Sequence, residues 1–295
     1  MLEYGGLVEK LHIFVLSRPF RSFKIGKEIK GFDLVTAQDP FECGLVGYVA
    51  AKILRIPLQL QVHTDFLSKY FWQESLLNKI RVLMAKFLIP KADCVRAVSE
   101  RIKKSLGKGI VLPIFVDAEK IKNAPIRTDL RAKYPQFDFI ILMASRLTKE
   151  KNIGLAIEAM KEVIKKYPKT GLIIVGEGPE KKKDTANIIF ESWSDDLASY
   201  YKTANLFLLT SNYEGYGRTL VEAAVASCKL ISSDVGIAEA ILEKENIFEP
   251  GDKKSLEEKI ISAINGKIKP AKPLKMRTKE EYLLAYKESW EKCGF

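Results

Sequence analysis

Two carboxylates, Glu214 and Glu222, frame the stretch SNYEGYGRTLVE with seven residues between them. Leu206 to Thr210 before it is a short apolar run of strand type, and Thr219 to Ala226 after the glycines is free of helix breakers. The order strand, glycine loop, helix places the loop at the carboxyl edge of a parallel sheet. There the helix start aims free backbone N–H groups and positive dipole at an anion. Acids beside an anion site make sense only when the ligand also brings hydroxyls to donate to them. A nucleotide sugar carries both groups. Gly215 and Gly217 lack a Cβ and let the backbone come close to such a ligand. Taken alone, Glu214 and Glu222 fit equally well as a solvated loop acid and a surface helix acid.

Further chemistry sits at other strand ends. The strand Phe137 to Ala144 runs into SRLTKEKN before a helix from Ile153 to Tyr167, which puts Arg146 and Lys151 five residues apart in one loop. A guanidinium fork and a mobile ammonium at that spacing can reach one diphosphate, although a surface loop also carries such charges. Leu172 to Val175 leads into Gly176-Glu177-Gly178-Pro179 at the same edge. Leu58 to Val62 is a buried strand that ends at His63-Thr64-Asp65, and a histidine at the carboxyl end of a parallel strand faces the ligand crevice or serves as a structural hydrogen-bonder. The other histidine, His12, falls inside a strand read from Leu11 to Ser17 and is expected to be structural.

The stretch SNYEGYGRTLVEAAVASCKLISSDVG resembles the signature of the retaining nucleotide-sugar glycosyltransferases of the GT-B fold, the glycosyl transferases group 1 family. VHTDF, ADCVRAVS, SRLTKEKN and LIIVGEGP resemble companion segments of that family in the expected order. The resemblance implies that Glu214 contacts the donor sugar's hydroxyls and that Glu222 holds the ribose. It also implies that Gly215, Tyr216 and Gly217, with Gly176 and Gly178, bring backbone to the donor. By the same resemblance Arg146 and Lys151 neutralise the leaving diphosphate, and His63 is a catalytic-site residue, with Asp65 a weaker counterpart. Arg218 and Thr219 stand where many members carry an apolar or small polar pair, and they are taken as donor-binding with their sugar contact open. No metal and no cofactor are expected, and no Asp-x-Asp motif occurs.

The elements that would hold these residues read as α/β throughout. The implied architecture is two Rossmann-like domains facing across a cleft. An acceptor-side domain covers residues 1–117, a donor-binding domain 118–275, and a last helix, 276–295, returns to brace the first. Family members usually begin with an earlier strand and a glycine-rich loop. This chain is expected to lack most of that unit, through a naturally short start or a recorded start that lies too late. The cysteines Cys43, Cys94, Cys228 and Cys293 form no CxxC pair, so neither a disulfide framework nor a zinc site is expected, and a reducing cytoplasm is the simplest home.

The formal charge of +11 favours diphosphates, anionic headgroups or nucleic acid, and the absence of a zinc finger, RRM signature or basic heptad region argues against the last. No run of eighteen apolar residues occurs. Leu76 to Ile89, LLNKIRVLMAKFLI, reads either as a core helix with solvated cations or as a helix lying in the interface of an anionic membrane. The combined expectation is a retaining, metal-independent transfer from a nucleoside-diphosphate sugar to a glycan or lipid-linked acceptor, in the cytoplasm or at its membrane face. A non-catalytic nucleotide-sugar-binding subunit and an epimerase on the same scaffold remain as alternatives.

Overall fold

The computed structural model describes residues 6–13 and 31–294. The chain divides into two compact units. One is Val116–Met276, and the other combines the chain up to Phe115 with the stretch from Arg277 onward.

The first unit holds β1 (Val35–Ala37), α1 (Glu42–Leu54), β2 (Leu58–Val62), α2 (Lys69–Glu74), α3 (Leu76–Leu88), β3 (Cys94–Ala97), α4 (Glu100–Leu106) and β4 (Ile110–Val111). Among the described residues its four strands are parallel in the order β1-β2-β3-β4. Helix α4 is bounded as its sequence dictates, by the Ser99 hydroxyl accepting from the Ile102 N–H at 3.3 Å and by Gly107 in the left-handed conformation. Strand β4 is only two residues long, because Pro113 just beyond it has no N–H for the ladder. Leu11 to Ile13 form no strand, residues 14–17 of that expected strand lie outside the described residues, and His12 is exposed rather than structural within a strand.

The second unit holds α5 (Ala118–Asn123), α6 (Leu130–Lys133), β5 (Phe139–Ala144), α7 (Ile153–Lys166), β6 (Thr170–Val175), β7 (Ile188–Glu191), α8 (Leu197–Thr203), β8 (Leu206–Leu209), α9 (Arg218–Val225), β9 (Leu230–Ser233), α10 (Ala238–Ile241), β10 (Ile247–Phe248) and α11 (Lys253–Ile264). Its six strands are parallel in the order β10-β9-β8-β5-β6-β7. Both faces are covered. Leu142, Ala144, Phe207 and Leu209 pack with α8 and α9 on one side, while Ile141, Met143, Leu206 and Leu208 pack with α7 and α11 on the other. This is why these strands read as continuous apolar runs rather than as alternating ones. From β5 the chain steps to β6 in one direction and later to β8 in the other, so the order reverses between β5 and β8. At such a reversal the two connecting loops part and leave a crevice beyond the carboxyl ends of the strands.

The last helix, α12 (Lys279–Glu291), starts with a capping box in which Thr278 and Glu281 exchange hydrogen bonds. Its residues Tyr282, Tyr286 and Trp290, spaced for one face, are buried with Leu112 of the first unit. Alternation in β2, LQLQV, finds its reason here. Gln59 donates to the Ser289 carbonyl at 3.0 Å, Gln61 to the Tyr286 hydroxyl at 2.5 Å, and Arg96 of β3 to the Tyr282 hydroxyl at 2.9 Å. Cys94 and Cys293 are disulfide-bonded, with Cα atoms 5.2 Å apart, contrary to the expectation of unpaired cysteines. Their separation of 199 residues leaves no local spacing signal for the pair.

Candidate functional site

The second unit gathers the charged residues at the point where its strand order reverses. The loop after β5 carries Arg146 and Lys151, and the loop after β8 carries Glu214. Because β5 and β8 are neighbours, these loops leave the sheet side by side. Hydrogen bonds join them along their length. Asn212 N–H donates to the Glu150 carbonyl at 2.7 Å, the Thr210 hydroxyl to the Lys151 carbonyl at 2.9 Å, and the Asn152 side chain to that of Asn212 at 3.0 Å. Asn152 sits in the left-handed conformation at φ 46° as the N-cap of α7. That conformation, which Asn tolerates better than most residues, turns the chain from the 149–151 turn into the helix.

The result is a direct ion pair. Lys151 Nζ lies 2.5 Å from Glu214 Oε1, with only 15% and 14% of the two side chains exposed, and the Ser211 hydroxyl donates to the same oxygen at 2.8 Å. Ser211 is itself held through its carbonyl, which accepts from the Ser233 hydroxyl of β9 at 2.6 Å. Arg146 behaves differently. It is 77% exposed and only loosely tied to Glu150 at 3.4 Å, so its guanidinium can swing onto a ligand at little cost.

Helix α9 opens beside this pair, with Gly217 as its N-cap and no side chain capping its first turn. Gly215, Tyr216 and Gly217 are buried, and Arg218 and Thr219 form the first residues of the helix. Glu222 lies one turn on. Arg218 Nε donates to Glu222 Oε1 at 2.7 Å, and the Tyr201 hydroxyl of α8 donates to its other oxygen at 3.1 Å. Burial first, and the Glu222 charge second, push the Tyr201 hydroxyl well above the usual phenol range, so it stays a donor. Glu222 therefore keeps a fixed orientation while retaining lone pairs for further donors.

Gly176 and Gly178 have a local task that sequence alone does not assign. At φ 148° and 153°, both back onto the loop after β5, and a Cβ on either would collide with the carbonyls of Ser145 or Leu147. Leu147 N–H donates to the Glu177 carbonyl at 2.8 Å, which seats the Arg146 loop on the 176–180 turn. Gly236 does the same at the other end, with the Ile237 N–H bonded to the Tyr216 carbonyl at 3.1 Å and no room for a Cβ between Tyr216 and Glu214. The carboxyl ends of β9, β8, β5 and β6 thus form one continuous edge. Tyr201, Ser211, Asn152, Asn212 and Gly236 are parts of it that motif reading misses. Of these, the Asn at the end of SRLTKEKN, on the threshold of a helix, offers the clearest local signal.

His63 belongs to the first unit, at the carboxyl end of β2. With the ring proton on Nε2 it donates to Gln61 Oε1 at 3.2 Å. Burial, then the nearby Arg96 cation, lower its pKa to about 4, so the imidazole is neutral at pH 7. Asp65 is held above the ordinary carboxylate range by burial, against the opposing pull of Arg101. A group that binds its proton less well folded than unfolded loses stability as pH falls from the unfolded value near 6.5 toward 4. His63→Gln is therefore expected to flatten melting temperature against pH over that window. The difference from wild type should change by up to about 1.4 kcal/mol per pH unit. Parallel curves for the two proteins would show that the ring is not held neutral.

Among the described residues, no group of three or more His, Cys, Asp or Glu is arranged to hold a metal ion. Among them, too, no helix is long and apolar enough to cross a membrane.

Residues 127–281 match the family described as Glycosyl transferases group 1, and residues 6–120 match Glycosyltransferase Family 4. The chain is 27% identical over 249 residues to the alpha-monoglucosyldiacylglycerol synthase of Acholeplasma laidlawii, covering 73% of this chain and 63% of that protein. It is 25% identical to the capsular polysaccharide biosynthesis glycosyltransferase CapM of Staphylococcus aureus, covering 87% of this chain and 76% of CapM. It spans 63% and 64% of the lengths of the Acholeplasma protein and of an uncharacterized glycosyltransferase of Methanocaldococcus jannaschii. Among solved structures, Anabaena Alr3699/HepE in complex with UDP-glucose superposes with a TM-score of 0.66 at 21% identity, covering 89% of this chain and 74% of that one. Sucrose-phosphate synthase of Thermosynechococcus elongatus gives 0.69 at 19% identity, over 90% and 70%.

Proposed function

The chain belongs to the glycosyl transferases group 1 family and has the GT-B fold of two Rossmann-like units, and on that premise we propose that it moves a sugar from a nucleoside-diphosphate donor to a glycan or lipid-linked acceptor with retention of anomeric configuration. The observation that carries this reading is the Lys151–Glu214 pair at the strand reversal, beside the side-chain-free start of α9. A diphosphate settling on that helix start offers Lys151 a second anion and lets Arg146 close over it from solvent. Glu214 is then released to accept from sugar hydroxyls, while Glu222, oriented by Tyr201 and Arg218, accepts from the ribose. Bond breaking leaves negative charge on the departing phosphate, and preplaced cations with aimed N–H groups stabilise that charge more than they stabilise the bound ground state. The neutral imidazole of His63 is assigned to the same reaction as a hydrogen-bonding group.

Support for the acceptor class comes from the relatives, which are named for a glucosyldiacylglycerol and a capsular polysaccharide. The test is to incubate the protein with a panel of nucleotide sugars, with diacylglycerol or oligosaccharide acceptors, and to follow nucleoside diphosphate release together with the anomeric configuration of the product. Release coupled to an α-linked product from an α-linked donor, undiminished by EDTA, is expected. Donor binding without turnover across the panel would replace this reading by that of a binding subunit. An inverted product would overturn retention alone.

A further inference from the structure

Helix α3 is apolar on two sides. Asn78, Val82, Ala85 and Leu88 are buried. On the opposite side Leu76, Ile80, Leu83 and Phe87 stand exposed, at 74%, 48%, 59% and 55%. At about 100° per residue these four fall within roughly 60° of one another, so they form one stripe along the helix. An ordinary sheet-covering helix turns such a stripe inward and its charges outward. Helix α1 continues the surface with Val49 and Ile53, 46% and 62% exposed. The two helices are joined by the Arg81–Glu42 ion pair at 2.9 Å and by an edge-on contact between Tyr48 and Phe87 at 6.4 Å.

Cations border this apolar face. Lys79 and Lys86 lie along one flank of the α3 stripe. Lys91 sits over the Phe87 ring at 4.6 Å, and Lys52 over Tyr48 at 5.7 Å. From Lys69 to Lys91 the sequence carries five basic residues against the single acid Glu74. A protein partner could match either the apolar stripe or the basic rim. A bilayer with anionic headgroups matches both at once, because acyl chains take the apolar side chains while headgroups meet the lysines, whose stems lie along the boundary.

We propose that α1 and α3 form a docking face for an anionic membrane surface, with Leu76, Ile80, Leu83 and Phe87 dipping into the boundary between headgroups and acyl chains. This face stands independently of the transfer reaction, and its test needs no donor. The full chain is mixed with phosphatidylcholine vesicles with and without 30 mole per cent phosphatidylglycerol, a content of about that order giving a cell-like surface potential, and sedimented at low and high salt. Binding to the anionic vesicles only, weakened by salt, is expected. Lys79→Gln with Lys86→Gln should lower the partition coefficient about 25-fold, roughly fivefold per lysine. Leu83→Ser with Phe87→Ser should abolish binding while the far-ultraviolet circular dichroism stays at wild-type values and the melting temperature falls only slightly, since Leu83 is mostly exposed and Phe87 gives up a half-exposed ring contact with Tyr48. Failure of the wild type to bind anionic vesicles, or wild-type binding by both double variants, overturns the proposal. A vesicle-free dimer that Leu83→Ser with Phe87→Ser dissolves would do the same, assigning the face to a second copy of the chain.

Discussion

Lys151→Ala is expected to cut sugar transfer by about 10²- to 10³-fold, the usual loss when one preplaced charge-stabilising group is removed from a reacting centre. It should also destabilise the protein, because Glu214 would stay in a site only 14% exposed without its cation, the Ser211 hydroxyl still donating to it. Removing one member of a fully buried pair costs about 3–5 kcal/mol; with the residual exposure here, about 2–3 kcal/mol is expected. At roughly 2–4 °C per kcal/mol for a unit of this size, the melting temperature should fall by about 4–12 °C. The two effects separate in a cycle with Glu214→Gln. Lys151→Ala together with Glu214→Gln leaves no unpaired charge and should recover most of the lost stability, while transfer stays near the level of the single variants. If Lys151→Ala folds and transfers like wild type, the strand reversal is not where the reaction occurs. If the double variant is no more stable than Lys151→Ala alone, the pair is not coupled in solution.

Gly176→Ala is expected to act on the same centre without touching it. The residue has φ 148°, which L side chains rarely adopt, and its Cβ would enter the space of the Ser145 carbonyl oxygen. The obstacle is backbone, so no side chain can rotate away to make room. The loop holding Arg146 and Lys151 must move off the 176–180 turn, breaking the 2.8 Å bond from Leu147 N–H to the Glu177 carbonyl. A loss of about 3 kcal/mol or more is expected from the combined strain and displacement, with transfer falling at least tenfold as Lys151 leaves Glu214. Gly154→Ala is the matched control. It stands in the first turn of α7 with nothing within 4 Å of a new Cβ, and it should be neutral or stabilising by up to about 1 kcal/mol. Equal behaviour of the two variants would mean that the close approach at Gly176 is not maintained in solution.

The alternation of strands and helices is legible because each element carries its own local signal. Apolar runs give β5, β6 and β8, and Ser99 and Thr278 are residues of capping type that do cap α4 and α12. The glycine loop before α9 can likewise be read as a loop at the carboxyl edge. Pairings across the chain are not local and cannot be read this way. That Lys151 meets Glu214 depends on β5 lying next to β8, a fact of sheet order that neither loop contains. The glutamines of β2 find partners in the last helix 225 and 230 positions away, which no local pattern in the buried strand announces. Cys94 and Cys293 are hidden for the same reason. The two-sided α3 resists sequence reading differently, since periodicity marks apolar faces without saying which one the fold covers.

The wide sequence separation of those partners bears on how the polypeptide is made. Gln59, Gln61 and Arg96 are synthesised before the second unit, and the hydroxyls and carbonyl of α12 that bond them only after it. The second unit, contiguous in sequence, can complete its sheet while the nascent chain is still tethered. The first cannot close over its polar strands until α12 has been made, which leaves that half the longer exposed to chaperones and to misassociation.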